Sequence, residues 1–164
     1  MQAIDLVRHA LGVGDHVFQG LVADLRDHPM ATQAPTGGNH AIWTLGHITL
    51  LEAGIPGIFF GESNPLASWE PLFQVGSKPT NDASAYPSFD ELLGQYRQQR
   101  ATTMKILDQV GESGMDRVPA HIPKGFEKAM ATFGLTLLTM ALHQMLHAGE
   151  LADIRRAVGI KPMM

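Results

Sequence analysis

The sequence predicts an all-α protein, a four-helix bundle with a long connection between the second and third helices. Apolar residues recur three and four positions apart in four segments, which is typical of amphipathic or buried helices. No segment shows the apolar–polar alternation of a half-buried strand. A stretch rich in Gly, Pro and Ser separates the second and third segments. Bundles of this kind build metal sites between facing helices.

The first two predicted helices lie in the N-terminal third of the chain. An apolar seam predicts the first over about Ala3–Asp27, and Pro29 ends it. Asn39 is the expected N-cap of the second helix, which is apolar around most of its girth and is therefore expected to be buried. Pro56 predicts a kink or an end to this helix near Gly54.

The connection and the last two helices follow. Residues 61–87 are long for a structureless loop, and such loops often form lids or site walls. Ser88 and Glu91 form a capping-box pattern that predicts the start of the third helix. The fourth helix is expected over about Glu127–Val158, with Gly159 closing it.

Composition narrows the classes of function. With 164 residues, 45% of them hydrophobic, the chain suits one globular domain over residues 1–164. The absence of cysteine excludes disulfides and cysteine-bound metals. A net charge of −4 without a basic stripe argues against a nucleic-acid partner. Without a signal-like start or a long uncharged apolar run, we expect a cytoplasmic protein with no membrane segment.

Three of the histidines form a candidate metal site. His143 and His147 lie four apart on one helix face, where two imidazoles can reach one metal. Because 8 histidines give roughly 0.4 such pairs by chance, metal ligation and two hydrogen-bonded core histidines remain equal alternatives at this point. His47, flanked by Trp43 and Leu51, would alone be more often structural. Together the three would leave one metal position open for water or substrate.

Several charged or polar residues are weaker candidates. Glu150 shares the face of the histidine pair and is either a catalytic general base, a metal ligand, a partner of a ligand or simply an exposed acid. Glu52 is a lesser candidate of the same type. His40, two turns before His47, is interpreted as a surface residue at a helix end. Arg155 is interpreted as a solvated charge that favours the helix dipole.

Four stretches resemble the DinB/YfiT-like superfamily and occur in that family's order. The most specific is a histidine pair followed by a run ending in arginines, with a Gly-His pair upstream. The stretches are NHAIWTLGHITLLE at 39–52, LFQVGSKPT at 72–80, YPSFDELLGQYRQQR at 86–100 and LHQMLHAGELADIRRAVG at 142–159. The resemblance implies a four-helix bundle that is often a homodimer.

The resemblance also implies a divalent metal, nickel, zinc or iron, held by three histidines that match His47, His143 and His147. Many relatives carry glutamine where this chain has Glu150, so the acid's role stays open. Characterised relatives include thiol-dependent enzymes such as bacillithiol transferases and mycothiol-dependent maleylpyruvate isomerase. A low-molecular-weight thiol is therefore an implied cofactor.

Three functional hypotheses follow from the sequence. The first is a metal-dependent enzyme of the thiol S-transferase or hydrolase type. The second is a non-catalytic, dimeric helical module that responds to stress or metal. The third is a carrier of a small-molecule ligand, with Trp69, Phe73 and Phe126 as walls of a pocket between helices.

Overall fold

A computed structural model describes residues 1–33 and 37–161 of the protein, and within these ranges the chain is helical with no β-strand. The predicted all-α class is confirmed. Within the described residues there are five α-helices, four of them long and one a single turn in the connection between the second and third long helices, together with three short 3₁₀ helices. The helices are α1 Ala3–Asp24, α2 Ala41–Phe60, α3 Glu70–Phe73, α4 Phe89–Val110 and α5 Phe133–Ala157.

The four long helices pack as a bundle in which α1 lies along α5 and α2 lies along α4. Helix α2 also contacts α5, and residues 41–50 of α2 are buried on every face, as the all-round apolar sequence predicts. By length and composition α2 could cross a membrane, but 72% of its most apolar window is buried inside the protein. That burial is typical of the core helix of a globular protein.

The apolar core is divided into two clusters along the bundle axis. One contains Phe18, Leu45 and Leu92, and the other contains Leu11 and Leu137 at the opposite end. Each fully buried leucine or phenylalanine contributes about 1.5–3 kcal/mol by leaving water. Buried or half-buried polar side chains from all four long helices lie between the clusters. We call this set the central polar layer: Asp15, Glu52, Tyr96, Arg100, Thr103 and Gln144.

Helix α2 differs from its predicted bounds at both ends. Its N-cap is His40 rather than Asn39, since the His40 ring accepts the Trp43 amide. Pro56 was predicted to kink or end the helix near Gly54, and the helix does not end there but runs on to Phe60. Burial of the last two turns in the second core cluster outweighs the hydrogen bond that proline removes.

The ends of the other three long helices depart from their predicted places by different amounts. Ser88 caps α4, as predicted, and α1 ends three residues before Asp27. Helix α5 begins at Phe133, not near Glu127, with Thr132 as its N-cap. The preceding loop supplies partners for the first free amides of α5, because the carbonyl oxygens of Arg117 and Met115 accept from residues 133 and 134. The backbone amides of residues 133 and 134 therefore have hydrogen-bond partners although no helical turn precedes them.

Candidate metal centre

His47 is held rigidly at the middle of α2. Its ring stacks on Trp43, with centroids 4.7 Å apart and planes 10° from parallel. Its Nδ1 lies 2.7 Å from the carbonyl oxygen of Phe73, at the end of α3. A carbonyl can only accept, so Nδ1 carries the hydrogen and Nε2 keeps its lone pair. His47 is therefore fixed as the tautomer that binds a metal through Nε2.

His147 is fixed in the same tautomer by a different partner. Its Nδ1 lies 2.8 Å from Oε2 of Glu150, one turn further along α5. The amide of Asn39 donates to the same carboxylate, at 3.3 Å to the nearer oxygen. Because the carboxylate accepts from Nδ1, Nε2 of His147 also keeps a lone pair.

The three imidazoles converge on one point. The Nε2 atoms of His143 and His147 are 3.2 Å apart. The centroid of the His47 ring lies 5.4 Å from that of the His143 ring and 5.0 Å from that of the His147 ring. Two nitrogens at about 2.0–2.1 Å from a tetrahedral metal are separated by roughly 3.3 Å. One nitrogen from each ring lies within 4.8 Å of the others, so the predicted trio can hold a metal ion. We call these three residues the histidine cluster.

The environment favours the neutral forms of His47 and His143. Burial lowers the pKa of His47, and the nearby His147 adds to this while the Phe73 carbonyl opposes it. Burial, followed by the charges of His147 and His47, lowers the pKa of His143 to about 4. Burial alone would raise the pKa of Glu150, but the hydrogen bond and charge of His147 bring it below its usual value. Neutral imidazoles beside a carboxylate are the state that a metal binds.

Gly46 and Phe73 position His47 through a contact that was not predicted from the sequence. The Phe73 ring packs against the backbone of Gly46 so closely that a Cβ there would overlap the ring. This contact brings the Phe73 carbonyl to His47. The signal was a glycine in the middle of an otherwise apolar helix, where glycine costs about 0.5–1 kcal/mol relative to alanine.

The long connection between α2 and α4 covers the N-terminal half of α2. Trp43 donates from Nε1 to Ser77 at 2.9 Å, which in turn donates to the carbonyl of Leu72. The ring of His40 bonds the Thr80 carbonyl at 3.0 Å. His40 is fully buried by this contact, so its interpretation as a surface residue is wrong. The path of the connection, which periodicity does not encode, buries it.

Two charged residues interpreted from sequence lie elsewhere. Glu52 is fully buried in the central polar layer, 2.9 Å from the guanidinium of Arg100, and takes no part in the histidine cluster. Burial raises the pKa of Glu52, and Arg100 opposes that shift. Arg155 is buried rather than solvated, because it pairs with Asp24 of α1 at 2.6 Å.

The three aromatic residues predicted to form the walls of one pocket lie in different places. Phe73 is buried in the first core cluster and Trp69 packs against that cluster. Phe126 lines a cavity that His143 also lines, and neither Trp69 nor Phe73 lines this cavity.

Three converging imidazoles on the second and last long helices of an all-α bundle are consistent with a divalent-metal site. The family model of the DinB superfamily matches residues 11–151. The chain therefore belongs to the DinB superfamily, as the resemblance implied. Compared with the curated proteins, the chain finds no match.

Proposed function

We propose that the protein is a divalent-metal-dependent enzyme that either transfers a low-molecular-weight thiol to a small electrophile or hydrolyses such an electrophile. The observation that carries the proposal is the convergence of three imidazoles, two of which hydrogen-bond through Nδ1 and so present Nε2 to the centre of the cluster. Three protein ligands are the pattern of reactive rather than closed structural sites. The chain has no cysteine, so the thiol must come from a cofactor.

The residues of the chain have separate tasks in this proposal. His47, His143 and His147 would hold the metal, and imidazole suits zinc, nickel and iron. A bound divalent metal lowers the pKa of a coordinated thiol or water and so supplies a nucleophile near neutral pH. Phe73 and Glu150 orient the His47 and His147 rings through their Nδ1 atoms. The predicted general-base role of Glu150 stays a prediction.

Metal-dependent thiol transfer is tested directly. Protein freed of metal and reloaded with Zn²⁺, Ni²⁺ or Fe²⁺ is assayed for adding bacillithiol, mycothiol or glutathione to small electrophiles, and for hydrolysing those electrophiles. We expect at least one metal to give activity that His143→Ala loses. His16→Ala, an exposed histidine outside the histidine cluster, is the matched control and should keep it. Equal rates in His143→Ala and the parent would reject the proposal.

Metal binding without any such activity would favour the second hypothesis, a metal-responsive module. Elemental analysis and melting curves with added metal read this outcome, because a ligand that binds only the folded state stabilises it.

We also propose that the protein is a homodimer that associates through the outer face of α5. Leu142 and Leu146 are 62% and 68% exposed, and Leu135 and Met145 extend the same apolar face. A second copy of the chain would bury this self-complementary stripe about a two-fold axis. Light scattering should show a dimer that Leu142→Glu/Leu146→Glu converts to a folded monomer. A monomeric parent protein, or a variant that stays dimeric, would contradict the assignment.

A further inference from the structure

A cavity of about 200 Å³ adjoins the histidine cluster. Helix α2 contributes Leu51 to its wall, and α5 contributes Met140 and His143. The loop before α5 contributes Phe126 and Met130. Phe126 is half-exposed, so it lies where the cavity meets solvent. The cavity thus leads from the surface to one of the three candidate metal ligands.

The cavity wall offers few polar groups that could hydrogen-bond to a ligand. Among its lining residues only Thr139 and His143 have polar side chains, and none carries a fixed charge. The Thr139 hydroxyl is already used, since it donates to the Ala129 carbonyl at 2.8 Å. A charged group in this cavity would lose its water without gaining a partner, which is strongly unfavourable. His143 is therefore the lining side chain that connects the cavity to the histidine cluster.

The size and softness of the cavity suggest what fits. An apolar cavity of about 150 Å³ stays dry and binds benzene, so this one has room for a single ring with a short substituent. Met130 and Met140 are adaptable, polarizable side chains that accommodate rings of different outline.

We propose that this cavity binds the neutral, apolar part of a small substrate, an aromatic ring or branched aliphatic group, with its reactive end against His143. Substrates with a carboxylate or phosphate on that part are rejected. Describing the occupant as a substrate rests on the proposed function, whereas the binding preference itself needs no metal.

The test compares two ligands of the same shape in metal-free protein. With ¹³C-labelled methionine methyl groups, NMR follows Met130 and Met140 during titration with toluene or benzoate. Metal-free protein is required because a carboxylate would bind a metal directly. We expect toluene to shift both methyl signals and benzoate to bind at least about tenfold more weakly. Equal affinity for the two, or toluene shifts confined to other methionines, would overturn the proposal.

A pair of variants locates the binding. Phe126→Asp places a carboxylate at the mouth of the cavity and should weaken toluene binding about tenfold or more. Val118→Asp makes the same kind of change at an exposed apolar residue of the same loop that does not line the cavity. It should leave toluene affinity unchanged. A loss in both variants, or in neither, would contradict this location.

Zinc calorimetry on the same samples separates this inference from the proposed function. Toluene binding without zinc binding would leave the cavity assignment standing and remove the metal enzyme. Zinc binding without toluene binding would remove the cavity assignment and leave the proposed metal enzyme standing.

Discussion

Two polar clusters lie inside this bundle, and their chemistry is opposite. In the central polar layer unlike charges meet: Arg100 lies 2.9 Å from Glu52, which also accepts from Thr103 at 2.5 Å. Gln144 accepts from Arg100 at 2.6 Å and donates to Tyr96, which donates to Asp15. In each of these contacts a donor faces an acceptor, although Nε and Nη1 of Arg100 have no hydrogen-bond partner among the described residues.

In the histidine cluster like groups meet. The Nδ1 hydrogens of His47 and His147 point outward to Phe73 and Glu150, which leaves their Nε2 lone pairs directed inward. His143 brings its own Nε2 to within 3.2 Å of His147. His143 and His147 can share one hydrogen between these two Nε2 atoms, whereas a cation would be coordinated by all three rings at once. The comparison separates a polar cluster that stabilises the fold by itself from one arranged for an added ion.

The largest effect is expected in the central polar layer. Arg100→Met should cost about 3–5 kcal/mol of unfolding free energy, because it leaves the Glu52 carboxylate buried without its partner. Urea unfolding in the presence of a chelator measures this loss. Adding Glu52→Leu should recover part of it.

The matched control is Arg8→Met, which removes the ion pair between Arg8 and Asp108. The Arg8 side chain is 41% exposed and the Asp108 side chain 62% exposed. Such a surface pair contributes about 0–1 kcal/mol. If Arg100→Met were as mild as Arg8→Met, the layer would not be the stabilising cluster described above.

The next effect concerns the histidine cluster. Zinc at about a hundredfold above its dissociation constant should raise the stability of the parent protein by about 2.7 kcal/mol. His147→Ala should lose this gain while unfolding much like the parent without metal. Thermal melts with and without Zn²⁺ measure the gain, and His16→Ala should retain it. A gain of equal size in His147→Ala would place the zinc elsewhere.

A smaller effect is expected where no ligand changes. Gly46→Ala forces the Phe73 ring away and with it the carbonyl that orients His47. Losing such a partner weakens metal binding about 10–100-fold, which calorimetry can measure. Gly54→Ala is the control on the same helix, since an added Cβ there meets only Asn64 at an ordinary 3.6 Å. Unchanged zinc affinity in Gly46→Ala would show that the Phe73 contact does not position the site.

The smallest effect is expected at Glu150. Glu150→Gln keeps an oxygen that can accept from Nδ1 of His147, so zinc affinity should fall by about tenfold or less. A loss as large as that of His147→Ala would show that the carboxylate is itself a ligand.

The fold was largely predictable because its signals are local. The seams of α1 and α4 and the Ser88 cap follow from neighbouring residues, and each lies close to its predicted place. The errors arose where distant contacts outweigh local preference. The core continues α2 past Pro56, and the loop that meets α5 at Arg117 and Met115 delays its start.

The histidine cluster was predictable for the same reason, since His143 and His147 share a helix face and a buried α2 carries His47. What periodicity could not reveal was the arrangement around it. Phe73 and the burial of His40 depend on the path of the connection between α2 and α4. The cavity beside His143 likewise depends on where the loop containing Phe126 lies.

The most direct test of the central claim is X-ray absorption at the zinc edge on protein loaded with one equivalent of Zn²⁺. We expect three imidazole nitrogens at about 2.0–2.1 Å from the metal, falling to two in His47→Ala. A first shell with fewer than three imidazoles in the parent protein, or one unchanged in His47→Ala, would contradict it.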